Sequence, residues 1–320
     1  MKVLLFTHKN DIDGMGNAIL GQLAFTDFTY ELCATFDLTK TVLKYFEDES
    51  IYTYDKIFIT DLCPEDPILT MFETDKKLQG KVQVLDHHKT YDEPKYKEKD
   101  FIKVQLQNDK GLCCGTSLFY EYLQEHNLLK PTKELDEFVE LTRQHDTWEW
   151  RNIYNNEKSR ELAVLFDSIG YDGYITLTTE KLRKQNPSFE FTSLEQTLIE
   201  NRKKQIKEKC KIYENEIFYK EILGMKAGIL FIDYEYRNEI AEYFRQNNFD
   251  MDFAMMISLD RGVVCYRSVK PGKPVRPVAE LFGGKGHDKA ATNPITKAQQ
   301  EEIIKVLTKR TKIIVNTTDI

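Results

Sequence analysis

The chain has 320 residues, of which 41% are hydrophobic, 30% charged and 12% aromatic; that is enough apolar material for ordinary cores and excludes a disordered chain. Its formal net charge of -7 argues against a protein that grips long duplex nucleic acid through a basic face, and favours a small or short anionic substrate. No apolar run approaches the ~18 residues of a membrane span, and the start Met1-Lys2-Val3-Leu4-Leu5-Phe6 is too short an apolar stretch for a secretory signal, so a cytoplasmic protein without a membrane partner is expected.

The length predicts more than one domain. In the first hundred residues, apolar bursts at 3–7, 30–34, 56–60 and 82–85 read as short buried strands. Between them, 18–25, 39–46 and 67–78 read as amphipathic helices. This alternation predicts an α/β fold: a mainly parallel sheet flanked by helices, with ligands expected beyond the carboxyl ends of the strands. Further helices are expected at 115–126 and 133–145, and a long charged one at 193–219. That last helix reads as an arm between domains. A smaller α/β set follows, with strands near 226–232, 252–258 and 263–268 and helices near 240–247 and 297–311. The expected division is 1–190 for a metal-binding catalytic domain, 191–222 for a helical linker and 223–320 for a smaller substrate-binding domain across a cleft.

Cys33, Cys63, Cys113, Cys114, Cys210 and Cys265 contain no C-x-x-C pair, so neither a disulfide framework nor a thiolate zinc site is indicated. Polar residues instead gather at element ends. His8, Asp11 and Asp13 follow the first strand, Asp61 ends the third, and Asp86-His87-His88 end the fourth. His145-Asp146-Thr147-Trp148 close a helix. Singly, each aspartate reads as well as a helix cap, and each histidine as a packed or surface residue. Collectively they form an oxygen-rich, nitrogen-containing, thiolate-free set. Such a set suits manganese or magnesium, with iron, cobalt and zinc as competitors. A pair of such ions sharing a carboxylate can clamp both oxygens of an in-line displacement at phosphorus.

Asp86-His87-His88 after a strand, with His8, Asp11, Asp13, Asp61 and Asp146, resembles the DHH phosphoesterase superfamily. The run Gly283-Gly284-Lys285-Gly286-His287 looks like the glycine-rich signature of its C-terminal DHH-associated domain, and Arg267-Ser268 like that domain's arginine-serine strand. Within the superfamily, the length and the Asp146-Thr147-Trp148-Glu149-Trp150 ending are most similar to the nanoRNase B type of oligoribonuclease. The resemblance implies two manganese ions, with magnesium or cobalt as possible substitutes. One ion would take His8, Asp11 and Asp61; the other would take Asp13, Asp61, His87 and Asp146. His88 would face the scissile phosphate and Asp86 would orient its neighbours. Arg267, Gly283, Gly284, Gly286 and His287 would hold the rest of a short oligonucleotide or dinucleotide, cut by an exonuclease-like hydrolysis that releases nucleoside monophosphates. A homodimer is compatible with this reading. The His8–Asp11–Asp13 spacing varies within the superfamily, and Lys285 stands where many members have glycine.

Other readings share part of the pattern. Linear dinucleotides, cyclic nucleotides or 3'-phosphoadenosine 5'-phosphate are alternative substrates. A manganese-dependent inorganic pyrophosphatase would share the His8-Lys9-Asn10 opening and a basic run like Arg202-Lys203-Lys204-Gln205, but here that run precedes the second domain. A nucleotide-binding sensor should have lost ligands, whereas every expected ligand is present.

Overall fold

The computed structural model describes residues 1–9 and 11–309. Asn10 and positions 310–311, the end of the last expected helix, lie outside the described residues, as does the remainder of the second domain's expected span. The chain forms two compact units, Met1–Arg202 and Lys203–Ile320. Among the described residues no helix is long and apolar enough to cross a membrane.

The first unit is built on strands β1 (Lys2–His8), β2 (Asp27–Cys33), β3 (Lys56–Thr60), β4 (Val82–Asp86) and β5 (Ile102–Val104), and on helices α1 (Ile12–Ala24), α2 (Leu38–Glu47), α3 (Asp66–Thr74) and α4 (Pro94–Lys97). The strands pair in the order β2-β1-β3-β4-β5, all parallel. Successive side chains of a strand point to opposite faces, and here both faces are covered. Val3, Leu5, Phe58 and Leu85 pack with Met15, Ile19, Phe119 and Phe138 on one side. Leu4, Phe6, Ile57, Ile59 and Val84 pack with Val42, Ile68 and Phe72 on the other. Burying each such side chain contributes about 1.5–3 kcal/mol relative to leaving it exposed. A short hairpin, β6 (Gln107–Asn108) with β7 (Gly111–Leu112), leads into α5 (Gly115–Glu125), α6 (Lys133–Asp146), α7 (Glu149–Asn152) and α8 (Glu157–Leu182).

Helix α9 (Ser193–Tyr213) carries the chain across the division between the units. The second unit contains β8 (Phe218–Ile222), β9 (Met225–Phe231), α10 (Arg237–Gln246), β10 (Phe253–Ser258), β11 (Val263–Ser268), α11 (Arg276–Leu281), β12 (Lys285–Gly286), β13 (Ala290–Pro294) and α12 (Lys297–Lys309). Its sheet runs β12-β13-β11-β10-β9-β8. β9 and β10 are parallel through the α10 crossover, and the other pairs are antiparallel.

Several elements differ from expectation. The arm helix stops at Tyr213 rather than 219, because Phe218–Ile222 pairs with β9. The connecting turn is Leu223-Gly224, with φ of 52° and 69°, the twist-matched hairpin geometry whose usual Asn-Gly signature is missing here. Helix α8 was not anticipated, and neither was the small hairpin of β6 and β7. At Gly170, inside α8, φ is 69° and ψ -177°, which breaks the apolar periodicity in two. Helix α1 begins at Ile12, well before the expected position 18; its first turns bury Asp13, Gly14, Gly16 and Asn17 alongside Ile12 and Met15, so polar and small residues interrupt its apolar pattern.

Candidate metal centre

An open parallel sheet of order 2-1-3-4-5 changes direction between β1 and β3, and ligands collect beyond the carboxyl ends of the strands at that switch point. β1 ends on His8, β3 is followed by Asp61, and β4 ends on Asp86 with His87 and His88 next. The strand ends alone therefore deliver an imidazole on the β1 side of the switch and both carboxylates and imidazoles on the β3 side.

The flanking helices add the rest. Asp11 caps α1, its Oδ1 accepting from the Gly14 N–H at 3.1 Å. Asp13, one turn in, is fully buried. Both its carboxylate oxygens accept from the start of α5, Oδ2 from the Gly115 N–H and Oδ1 from the Thr116 N–H, each at 2.7 Å. The Thr116 hydroxyl also donates to the Asp13 carbonyl at 2.6 Å. The N-terminus of α5 thus fixes the Asp13 carboxylate in place. The close approach requires glycine at 115, because a Cβ there would sit 2.5 Å from Asp61 Cβ. It requires glycine at 14 as well, where a Cβ would meet the His8 carbonyl oxygen at 1.7 Å.

Asp61 occupies the left-handed region at φ 59°, where a non-glycine residue is uncommon and costs backbone strain. Its two carboxylate oxygens face different imidazoles. Oδ1 lies 3.1 Å from His87 Nε2, and Oδ2 lies 3.6 Å from His8 Nδ1. His8 Nδ1 is also 2.9 Å from Asp11 Oδ2. His87 Nε2 is 3.7 Å from both Asp13 Oδ2 and Asp146 Oδ2. Three overlapping donor groups result among the described residues: His8, Asp11 and Asp61; Asp13, His87 and Asp146; and Asp61, Asp86, His87 and His88. Within each set the ligand atoms lie within 4.8 Å of one another. Asp61 Oδ2 is buried and has no hydrogen-bond partner among the described residues.

The electrostatics fit divalent cations. Burial, reinforced by Asp13 and Asp11, holds the Asp61 carboxyl well above the usual carboxylate range. Burial likewise pushes Asp146 up to about 7, against the pull of His87. Such crowded carboxylates are relieved by positive charge. For His8, burial opposes the charged ring, but the Asp11 carboxylate outweighs it and raises the pKa to about 9. The Cys114 thiol is held well above its ordinary range by burial and by Asp13 and Asp146. It stays a neutral thiol, so the donor set remains one of oxygen and nitrogen.

At the edge of the cluster, Asp86 and His88 pair with each other, Nδ1 to Oδ1 at 2.8 Å. The His87 side chain is 13% exposed and that of His88 37%, so His87 turns inward to the carboxylates while His88 faces the open side. Burial opposes the charge on His88, but Asp86 overrides it and raises its pKa to about 9. His145, beside Asp146, is held neutral by burial, its pKa lowered to about 4.

Sequence reasoning missed the supports. The N-terminus of α5 had only the small polar run Gly115-Thr116-Ser117 as its signal. Arg143 donates to Glu149 Oε2 at 2.5 Å and to the Leu112 carbonyl at 2.8 Å, which ties the end of α6 to the hairpin and to α7 just beyond Asp146. Trp150 is buried at 4% exposure and packs, whereas Trp148 is 40% exposed, with Arg151 over its ring.

In the second unit, Arg267 lies on β11 and Gly283, Gly284, Gly286 and His287 lie between α11 and β13. Arg267 Nε and Nη2 donate to Asn238 Oδ1 at 3.1 and 3.0 Å, and Nη1 to the Tyr266 carbonyl at 3.0 Å. Its register partner is Ala290, whose N–H donates to the His287 carbonyl at 3.2 Å. The strand arginine and the exposed His287 therefore share one corner of this sheet.

No protein-family model matches the chain. The chain is similar to the oligoribonuclease NrnB of Bacillus subtilis, at 29% identity over 294 residues, covering 91% of this chain and 72% of that protein. Among solved structures it is similar to the DHH domain of a protein described as a member of a family of ribosomal proteins. The TM-score there is 0.63 at 13% identity, covering 97% of this chain and 86% of that one. It is also similar to RecJ of Thermus thermophilus in complex with Mn2+, with a TM-score of 0.56 at 14% identity, covering 93% of this chain and 50% of that one. These likenesses show a DHH-domain fold.

Proposed function

We propose that this chain, a homologue of oligoribonuclease NrnB built on the DHH-domain fold, hydrolyses phosphodiester bonds in short oligoribonucleotides with a pair of divalent cations, manganese first among them, releasing nucleoside monophosphates. The observation that carries this reading is Asp61, which sends one oxygen toward each of two donor sets. One cation would be held by His8, Asp11 and Asp61, the other by Asp13, Asp61, His87 and Asp146. Oxygen and imidazole donors without a thiolate suit manganese or magnesium, with cobalt as a substitute. When bound, such a pair would neutralise the scissile phosphate and lower the pKa of an attacking water.

The chain's own groups do the remainder. The amides of Gly115 and Thr116 fix the Asp13 carboxylate before substrate arrives, and preorganisation of this kind is what makes an electrostatic site effective. Asp86 holds His88 by Nδ1 and keeps the imidazole protonated at neutral pH. The second ring N–H then serves as a donor to phosphate oxygens as charge develops there. Residues 1–190 would act as the catalytic domain and 191–222 as its connection to the second domain. In that domain, 223–320, Arg267, Gly283, Gly284, Gly286 and His287 would hold the rest of the substrate.

End-labelled RNAs of two to six nucleotides, incubated with Mn2+ beside 3'-phosphoadenosine 5'-phosphate and a linear diadenylate, test the proposal. Stepwise release of mononucleotides, abolished by chelator and fastest on the shortest RNAs, is expected. Turnover of the phosphoadenosine phosphate alone, or none with any divalent ion, would overturn it.

A further inference from the structure

Beside the metal-ligand cluster, the turn between β2 and α2 presents Phe36 at 84% exposure, the most exposed large apolar side chain among the described residues. The turn is closed by the Asp37 N–H donating to the Ala34 carbonyl at 2.9 Å. It leaves the sheet next to the first donor set, since Cys33 is the register partner of His8. Lys9 pins it there, its N–H on the Cys33 carbonyl at 3.0 Å and its Nζ on Asp37 Oδ2 at 3.1 Å. On the far side, the Thr39 hydroxyl donates to Glu65 Oε2 at 3.1 Å, which joins α2 to the segment that follows Asp61. Between these walls lies a groove of about 410 Å³ lined by Phe36, Thr39, Lys40, Leu43, Lys44, Glu47 and Glu65. That volume falls in the range of small-ligand sites. The Lys40 and Lys44 ammonium groups make no ion pair among the described residues.

We propose that this groove takes a nucleotide flanking the scissile phosphate, with the base stacked on Phe36 and its phosphodiester held by Lys40 and Lys44. The inference rests on the oligoribonuclease reading and adds a subsite to it. An aromatic face accepts any base, whereas ammonium groups track the backbone charge, so the groove recognises a single strand without reading its sequence. Phe36 and Glu65 of its lining follow β2 and β3 at the carboxyl edge that carries His8 and Asp61, so a base stacked on Phe36 would neighbour the reacting nucleotide.

The test compares KM for a triribonucleotide with KM for the same RNA carrying an abasic residue at each position in turn. Phe36→Ala is expected to raise KM for the intact RNA about tenfold or more, as loss of one stacked base does, while Phe36→Trp stays near wild type. With the base removed at one particular position, wild type and Phe36→Ala should converge. Lys40→Gln with Lys44→Gln should flatten the salt dependence of KM. Hydrolysis by wild type with Phe36→Ala equally active, or equally impaired on every abasic RNA, overturns the groove while leaving the oligoribonuclease reading intact. Loss of self-association in Phe36→Ala at unchanged KM would instead make the groove a contact between chains. Absence of RNA hydrolysis by wild type overturns both.

Discussion

Gly115→Ala offers a test of the site's construction that replaces no proposed ligand. An added Cβ would lie 2.5 Å from Asp61 Cβ, 3.0 Å from Asp61 Cα and 3.1 Å from Asp13 Oδ2. Carbon atoms at rest stand about 3.5–4.0 Å apart, so the two backbones must part by about 1 Å. Asp61 cannot retreat easily, because its N–H donates to the Leu85 carbonyl at 3.0 Å and its left-handed φ leaves little freedom. The start of α5 must move instead, and the 2.7 Å bond from the Gly115 N–H to Asp13 lengthens. Overpacking of this kind costs roughly 1–3 kcal/mol, and weakening a hydrogen bond to a charged group costs about 1.5–3 kcal/mol. A ~1 Å displacement at reacting groups lowers turnover by about 10²-fold. Thermal unfolding and kcat/KM across a manganese titration measure both effects. A lower Tm, weaker apparent manganese affinity and a loss of about two decades in kcat/KM at saturation are expected. Wild-type kinetics with an unchanged Tm would refute the claim that the α5 terminus preorganises the site.

His88→Ala should keep the metal stoichiometry and lose about 10²-fold in turnover, as removal of one transition-state donor does; a halved metal content would make His88 a ligand. Arg267→Ala or His287→Ala should cost about one to two decades in kcat/KM on trinucleotides, from about 1.5–3 kcal/mol per charge-assisted bond, and much less on a small chromogenic phosphodiester; equal losses on both would place these residues in folding or metal binding. Manganese binding should release protons at pH 7, because a ligand must be deprotonated while His8 has its pKa raised to about 9 and Asp146 to about 7. Apparent metal affinity therefore rises as pH climbs from 6 toward 9, and titration calorimetry in buffers of different ionisation enthalpy reads the protons directly. A pH-independent affinity would show that these groups do not ligate.

The strands were legible because they are buried on both faces: β1 and β3 read as unbroken apolar runs and β4 as one interrupted only by Gln83, and the polar residues at their ends make up the candidate site. What hid the remaining elements was local chemistry. The first turns of α1 bury Asp13, Gly14 and Asn17 beside Ile12 and Met15, so polar site residues dilute the apolar stripe that marks a helix. Gly170 divides α8, and Leu223 stands where a hairpin turn usually shows asparagine. The proposed ligands could be named from their order along the chain, but three-dimensional features could not. The left-handed φ of Asp61, the α5 amides on Asp13 and the Arg143–Glu149 pair each depend on residues far apart in sequence that only the fold brings together.

The account turns on Asp61 serving two cations at once. Calorimetric titration of metal-free protein with Mn2+, for wild type and Asp61→Asn, measures this most directly. Two ions per chain in wild type, with both bindings weakened in Asp61→Asn, is the expected result, because loss of a shared carboxylate disturbs both donor sets. A single ion in wild type, or two ions retained at wild-type affinity in Asp61→Asn, would contradict it.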